Sequence, residues 1–496
     1  MSDLAVLPVA VPILAATIPV VASIRFERVG WPVAVTVGTI QVAVTVSLAW
    51  LVATGGQIRY ELAGFPAPIG IELVVDALSA SVAVLIAVVT AGVLVYAHRA
   101  GPRSNAFYSE FLLLLAGLSG MALTGDAFNL YVFLEITGLA TYALIASGDS
   151  GRAAVAALKY LIIGTVGASM YLLGVGYAFI ATGTLNMVDL SDQLAAVGYD
   201  ATLVQTAFVL MIGGLAVKAA IYPLHVWQPD AYATAPDSVS AYVAALVSTL
   251  SAYAIARMIL SVFTVEFLHA NPMLQTALVW VAAISVIAGS ALAVTQTELK
   301  RMLAYSSVSQ FGLVIAAFAI ANETAVVGGA IHLLGHAIMK GGLFLAVGAI
   351  AIRTGARTID EYSGLVRRAP ILTVAFAVLA LAMIGVPPAV GFVGKWQIVL
   401  GAVEAKAWVV APVLFASTLL TLAYFARVLE RAFVADVPAS LDAGAPATDG
   451  GTAVEDLGLS AGMVVVIVTA AIASVVLGLL GSEIAQFLEP TLEVLQ

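Results

Sequence analysis

The stretch TAVVGGAIHLLGHAIMKGGLFLAVGAIAI, residues 324–352, decides the fold. It exceeds the roughly 20 apolar residues that an α-helix needs to cross a bilayer. Past Thr324, the only interruptions are His332, His336 and Lys340. Four residues turn a helix by about 400° and raise it about 6 Å, so these three side chains share one slowly drifting stripe about 12 Å long. A lone histidine in such a run reads as a packed core residue. Two with a lysine on one stripe point to a proton relay, since imidazole titrates near neutral pH. A zinc site would need a third ligand, and this helix offers none.

The rest of the chain has the same character. Of its 496 residues 62% are hydrophobic and 10% charged, with a mean hydropathy of +1.07. Soluble domains carry roughly 25% charged residues, so a soluble enzyme is excluded. The net charge of −9 argues against a nucleic-acid partner, because phosphate binding needs clustered Lys and Arg. There is no cysteine. Iron–sulfur clusters, thiolate zinc sites and disulfides are thereby removed, no cofactor is expected, and any redox chemistry belongs to a partner.

Apolar runs predict an all-α polytopic membrane protein with about fourteen transmembrane helices. They lie near 4–23, 31–54, 72–97, 107–125, 127–147, 153–182, 201–222, 238–262, 274–295, 302–320, 324–352, 369–402, 408–430 and 460–481. The run 107–147 must be two helices, since one would reach about 60 Å at 1.5 Å per residue; Gly125-Asp126 supplies the turn. The first run follows no basic segment and is long enough to span, so it reads as a retained helix and not a cleaved signal. Residues 432–459, rich in Ala, Gly, Pro and acid, read as a disordered cytoplasmic linker. The tail 483–496 has the spacing of a surface helix.

Orientation follows from the twenty Lys and Arg. One set of alternate loops holds fourteen of them, from Arg25 and Arg28 to Arg427 and Arg431, counting Lys300 and, a turn or two into the sixth span, Lys159. The other set holds Arg59, Arg257 and Lys406. The first set is therefore cytoplasmic and both termini are extracytoplasmic, in the cell membrane. Lys218, Lys340 and Lys395 fall within spans.

A charge near the bilayer centre costs about 2.5–3.5 kcal/mol on insertion scales, so each one needs a reason. Glu135 sits near the middle of the fifth span and Lys218 late in the seventh. An inert structural pair is one reading; a switch is the other, since a lysine that holds its proton beside a carboxylate releases it when the two part. Asp76, in the third span, and Asp126 lie nearer an edge. Two spans contain breakers. The seventh runs into Pro223, Pro229 and Pro236, and the twelfth carries IGVPPAVGFVGKW just around Lys395. Broken helices at membrane depth are tolerated where they are buried in protein or line a wet cavity, and a pair of them suggests repeated halves. Simple proline kinks are the plainer alternative. Trp227, Trp280, Trp396 and Trp408 read as interface or packing residues, and His98, His225 and His269 as water-facing.

LTGDAFNLYVFLEI at 123–136, VKAAIYPLHVWQPDAY at 217–232, LKRMLAYSSVSQFG at 299–312, HLLGHAIMKGGLFL at 332–345 and GVPPAVGFVGKW at 385–396 resemble the large proton-channel subunits shared by complex I and the Mrp-type Na+/H+ antiporters. The form TGDAFNLYVFLE and the chain length look most like the D subunit of the Mrp antiporter. The resemblance implies two inverted five-helix repeats with broken helices 7 and 12. It divides the chain into 1–106, repeats at 107–262 and 263–431, the linker 432–459, and 460–496. It also implies that Glu135 and Lys218 form a switch pair, that His332, His336 and Lys340 form a central hydrophilic axis, and that Lys395 ends it. One position departs: where the resemblance expects a lysine on the eighth helix, the chain has Thr249, preceded by Ser248. Ordered water held by these hydroxyls is expected to bridge the axis; bonding to the carbonyl four residues back is the alternative.

The expected function is an ion-translocating subunit of a multi-subunit monovalent cation (Na+)/H+ antiporter, no enzyme by itself, working with other hydrophobic subunits in the lipid bilayer. The alternative is a proton-pumping membrane subunit of complex I or of a membrane-bound hydrogenase. A non-conducting scaffold gains nothing from buried charge.

Overall fold

The computed structural model describes residues 2–148, 150–437 and 459–492; most of the expected linker, 438–458, and the tail beyond 492 lie outside them. Twelve of the described helices are long and apolar enough to cross a membrane, from Ser2–Ala22 to Ala461–Leu479. Two shorter apolar helices, Thr202–Lys218 and Pro370–Ile384, sit where broken spans are expected. The chain is a polytopic, nearly all-helical membrane protein.

Sequence chemistry sets the helix ends. Asp126 caps the fifth span, Ala127–Ala146, by accepting from the Asn129 amide at 2.6 Å, so the turn falls at Gly125-Asp126. The third span begins later than hydropathy suggests. The β-branched pair in Glu72–Val75 forms a strand against Ile58–Glu61, and Asp76 caps helix Ala77–Ala100 in a reciprocal box with Ser79. Asp76 is therefore outside the span, where it pairs with Arg257. Gly481–Leu492 is a helix, as the tail's spacing suggests.

Burial is uneven among the spans. The apolar stretch of the eighth, Asp237–Val262, is buried throughout, and those of the tenth (Leu299–Ile320) and eleventh (Glu323–Thr354) nearly so. In the first, second, thirteenth and fourteenth, fewer than half of the residues in that stretch are buried. The deep polar residues sit on or against the buried helices, as lipid demands. The eighth span widens into π-turns at Val243–Val247 and Met258–Val262. Such turns re-aim the side chains that follow, here Ser248 and Thr249.

Both expected breaks are real. After Lys218 the chain leaves the helix through Ala219 and a positive-φ Ala220, passes through a run of turns at 222–227, and resumes helix at Gln228–Thr234. The Trp227 indole donates to the Val217 carbonyl at 2.9 Å, satisfying an acceptor freed by the break. After Ile384 comes Gly385 at φ +99°, and helix resumes at Val390–Glu404. Gly394 lets this second segment lie on the eleventh span: a Cβ there would stand 2.7 Å from the His332 Cβ.

Candidate functional site

The first cluster surrounds Lys218. Its ammonium lies 3.7 Å from Glu135 Oε1 and donates to the Tyr142 hydroxyl at 3.0 Å. The Tyr142 and Tyr160 rings stand 5.5 and 5.9 Å away, offering π-faces to the charge. Two glycines make room. A Cβ on Gly138 would stand 3.0 Å from the Lys218 nitrogen, and one on Gly164 would overlap the Tyr142 hydroxyl. Lys218 is buried, whereas the Glu135 side chain is 25% exposed. Phe128, Val132 and Leu139, at helical spacing around Glu135, are exposed too.

The second cluster runs along the eleventh span, where His332, His336 and Lys340 are all fully buried. His332 Nε2 is 2.8 Å from Gln310 Oε1 on the tenth span. Neither ring nitrogen of His336 has a partner among the described residues. Lys340 donates to the Leu303 carbonyl at 2.6 Å and to the Ser306 hydroxyl. Lys395 closes the row, donating to the Met383 and Ile384 carbonyls at 2.8 and 3.1 Å. These are the last carbonyls of the first half of the broken twelfth span, the negative end of its dipole. The break thus makes the ammonium's seat.

Thr249 and Ser248 part company. The Thr249 hydroxyl donates to the Ala245 carbonyl at 2.7 Å, its own helix four residues back. The Ser248 hydroxyl meets Gln228 Nε2 at 3.2 Å and the Tyr232 hydroxyl at 3.1 Å, both on the helix after the seventh-span break. The expected bridging role therefore has geometry behind it at 248 and not at 249.

Two other expectations are corrected. His225 does not face water: it lies buried in the break, its ring 5.2 Å from that of Tyr222. Trp227, by contrast, packs as expected, stacked at 3.7 Å on Tyr160. Lys300, expected in a cytoplasmic loop, is buried and paired with Asp237 at 2.5 Å. Hydropathy missed Tyr142, Gln228, Tyr232, Ser306 and Gln310. The run SSVSQ at 306–310 was the available signal, being polar inside an apolar span. Among the described residues no three His, Asp or Glu side chains converge as a metal site.

Fold and site define a polytopic membrane protein with two clusters of buried protonatable groups, and a separate polar network of Ser248, Gln228 and Tyr232 on the eighth span and the segment after the seventh-span break. The family described as NADH:quinone oxidoreductase/Mrp antiporter, TM, matches residues 124–421, and the chain belongs to it. It is 45% identical over 405 residues to NADH-quinone oxidoreductase subunit N of Desulforudis audaxviator, covering 80% of each chain. It is 32% identical over 332 residues to the D subunit of the Na(+)/H(+) antiporter of Bacillus subtilis, covering 66% of this chain and 65% of that one. Among solved structures it resembles a chain of the membrane-bound sulfane sulfur reductase, an archaeal respiratory membrane complex, at 30% identity and TM-score 0.88, covering 100% of this chain and 98% of that one. A chain of the Mrp complex from Dietzia sp. DQ12-45-1b is similar at 27% identity and TM-score 0.88, over 99% of this chain and 97% of that one.

Proposed function

We propose that this chain is a proton-translocating membrane subunit of a redox-driven complex of the NADH-quinone oxidoreductase kind. Translocation rests on one observation: Lys218, Lys340, His336, His332 and Lys395 are all buried at membrane depth, where such groups default to ion or proton pathways. The choice of complex departs from the reading the motifs favoured. Identity of 45% over four fifths of the chain with the quinone oxidoreductase relative outweighs 32% over two thirds with the antiporter relative. The Mrp-type antiporter remains the second reading, supported by the TM-score of 0.88 to a chain of the Mrp complex. Glu135, Lys218, His332, His336, Lys340 and Lys395 carry protons in either case.

Partner subunits are part of the proposal. A carboxylate near midplane and 25% exposed on the isolated chain needs a neighbour, because lipid gives it no hydrogen bonds. The two repeats, 107–262 and 263–431, are taken as the working halves. Both termini are placed on the extracytoplasmic face of the cell membrane by the basic-loop asymmetry. Cysteines introduced at Asp192 and Arg357 of this cysteine-free chain should then label from opposite sides.

Mild-detergent extraction from the native membrane decides between the complexes. Copurifying iron–sulfur or flavin proteins are expected. Copurification of small hydrophobic subunits without redox centres would transfer the chain to the antiporter reading.

A further inference from the structure

At the face of the basic loops, Asp237 opens the eighth span and binds Lys300 from the start of the tenth. The Lys300 ammonium also donates to the Ala235 carbonyl at 3.0 Å and to the Ser240 hydroxyl at 3.2 Å. Exposure grades inward across the pair: the Asp237 side chain is 16% exposed and that of Lys300 6%. Behind them lie Tyr96, Ser238 and Tyr362, all fully buried. None of their three hydroxyls has a partner among the described residues. Their placement is close. A Cβ on Gly348 would stand 2.6 Å from the Tyr96 hydroxyl and 2.7 Å from the Asp237 Cβ, and one on Gly101 would stand 3.0 Å from the Ser238 hydroxyl. Tyr362, in the loop after the eleventh span, feels Asp237 as well: burial first, and then that carboxylate, raise its hydroxyl above the ordinary tyrosine value.

A buried hydroxyl left without a partner costs about 1–3 kcal/mol, and ordered water is the usual remedy. Three such groups around one ion pair, beside a carboxylate that solvent already reaches, mark a place where water enters the protein. We infer that Asp237, Lys300 and the hydroxyls of Tyr96, Ser238 and Tyr362 form a water-holding chamber that takes up protons and feeds the second cluster at Lys340. The inference rests on the proposed translocating function.

The tenth span supplies the route onward. Lys300 opens it, and Leu303 and Ser306, the partners of Lys340, follow within about 9 Å of rise. A proton from water at the mouth passes to the Asp237 carboxylate, and then from Asp237 to chamber water on the inner side. The carboxylate is restored, Lys300 stays protonated throughout, and no electron moves. The second cluster has no carboxylate of its own among the described salt bridges, so an acid at its mouth fills a missing part.

The plain alternative is a latch that only fastens the start of the eighth span. The experiment uses the whole complex in sealed vesicles, with proton uptake and donor oxidation followed together. Asp237→Asn should slow uptake by about tenfold or more, in the range of a lost proton-transfer group, and Asp237→Glu should restore it. Tyr362→Phe, which keeps the ion pair, should slow it several-fold at unchanged complex yield. A density map of the complex that resolves water should place water against all three hydroxyls. Lys218→Ala runs alongside. If it stops uptake while Asp237→Asn runs at the normal rate, the chamber is refuted and the translocating function stands. If Lys218→Ala runs normally, the function itself is refuted. Loss of complex yield in Asp237→Asn that Asp237→Glu restores, with normal uptake in Tyr362→Phe, would make the pair a latch and overturn the chamber.

Discussion

The two broken spans each hold a buried lysine, and they hold it differently. Lys218 is the last residue of its half-helix and faces a carboxylate, a phenol and two aromatic rings. Lys395 comes from the second half of its span and reaches back to two carbonyls of the first. Lys340 likewise has a carbonyl and a hydroxyl. The first cluster balances charge with charge, and the second offers only dipoles. A paired cation loses its proton when its partner moves away or is neutralised. A cation on fixed dipoles can change only by handing its proton along the row. Under the proposed function, the first cluster therefore acts as a switch and the second as a conductor.

Lys218→Ala gives the largest effect this comparison allows. Proton pumping by the assembled complex, read as acidification in sealed vesicles, should fall about 100-fold or more. Glu135→Gln should fall nearly as far, since an amide cannot shed or regain a charge. Full pumping by Lys218→Ala at normal complex yield would refute the proposed function; full pumping by Glu135→Gln alone would reduce that carboxylate to scaffolding.

Neutral replacement then separates switch from conductor. Lys395→Met removes a charge that has no carboxylate partner among the described residues and should slow pumping strongly, though less than Lys218→Ala, with little loss of thermal stability. Lys218→Met strands Glu135 and should lower the melting temperature of the purified complex more than Lys395→Met does. Equal losses would erase the distinction. Gly164→Ala comes next. The new methyl must displace the Tyr142 hydroxyl from Lys218, so stability should fall by about 1–3 kcal/mol and pumping by a smaller factor than in Lys218→Ala. The double variant with Tyr142→Phe should recover much of the stability, as it removes the atom in the way.

How legible this was differs between the clusters for a physical reason. Charged residues inside apolar runs announce themselves by insertion cost, so Glu135, Lys218, His332, His336, Lys340 and Lys395 were all visible in the chain. The breaks at 219–227 and 385–389 were visible too, because proline and glycine mark them. The uncharged partners of the lysines and of His332 are common in membrane helices, and nothing local distinguishes Tyr142 from other hydroxyls, whereas Ser306 and Gln310 were marked by the polar run 306–310. Asp76 and Lys300 were misplaced because hydropathy does not fix span ends. It ran the third span through Asp76, which caps that helix from outside and pairs with Arg257, and it left Lys300 in solvent, where only tertiary contact with Asp237 buries it.

The smallest expected effect lies on the eighth span. On the eighth span the chain has hydroxyls at 248 and 249, with no charge on either, and sequence treats the two alike. The structure does not. The Thr249 hydroxyl is committed to the Ala245 carbonyl, a bond that stays inside its own helix. Thr249→Val keeps the shape and should change stability by about 1 kcal/mol or less, with pumping unaltered. Ser248 ties Gln228 and Tyr232, and so the segment after the seventh-span break, to the eighth span. Gln228 Oε1 is buried with no partner among the described residues, an acceptor that a bridging water would satisfy. Ser248→Ala should therefore slow pumping by a few-fold while Lys218 and Glu135 stay in place. The rates of the two single variants, measured in one vesicle preparation, check this. Equal rates would mean that protons pass between the clusters without using the eighth span. A slower Thr249→Val would mean that its hydroxyl leaves Ala245 during turnover and serves the route after all.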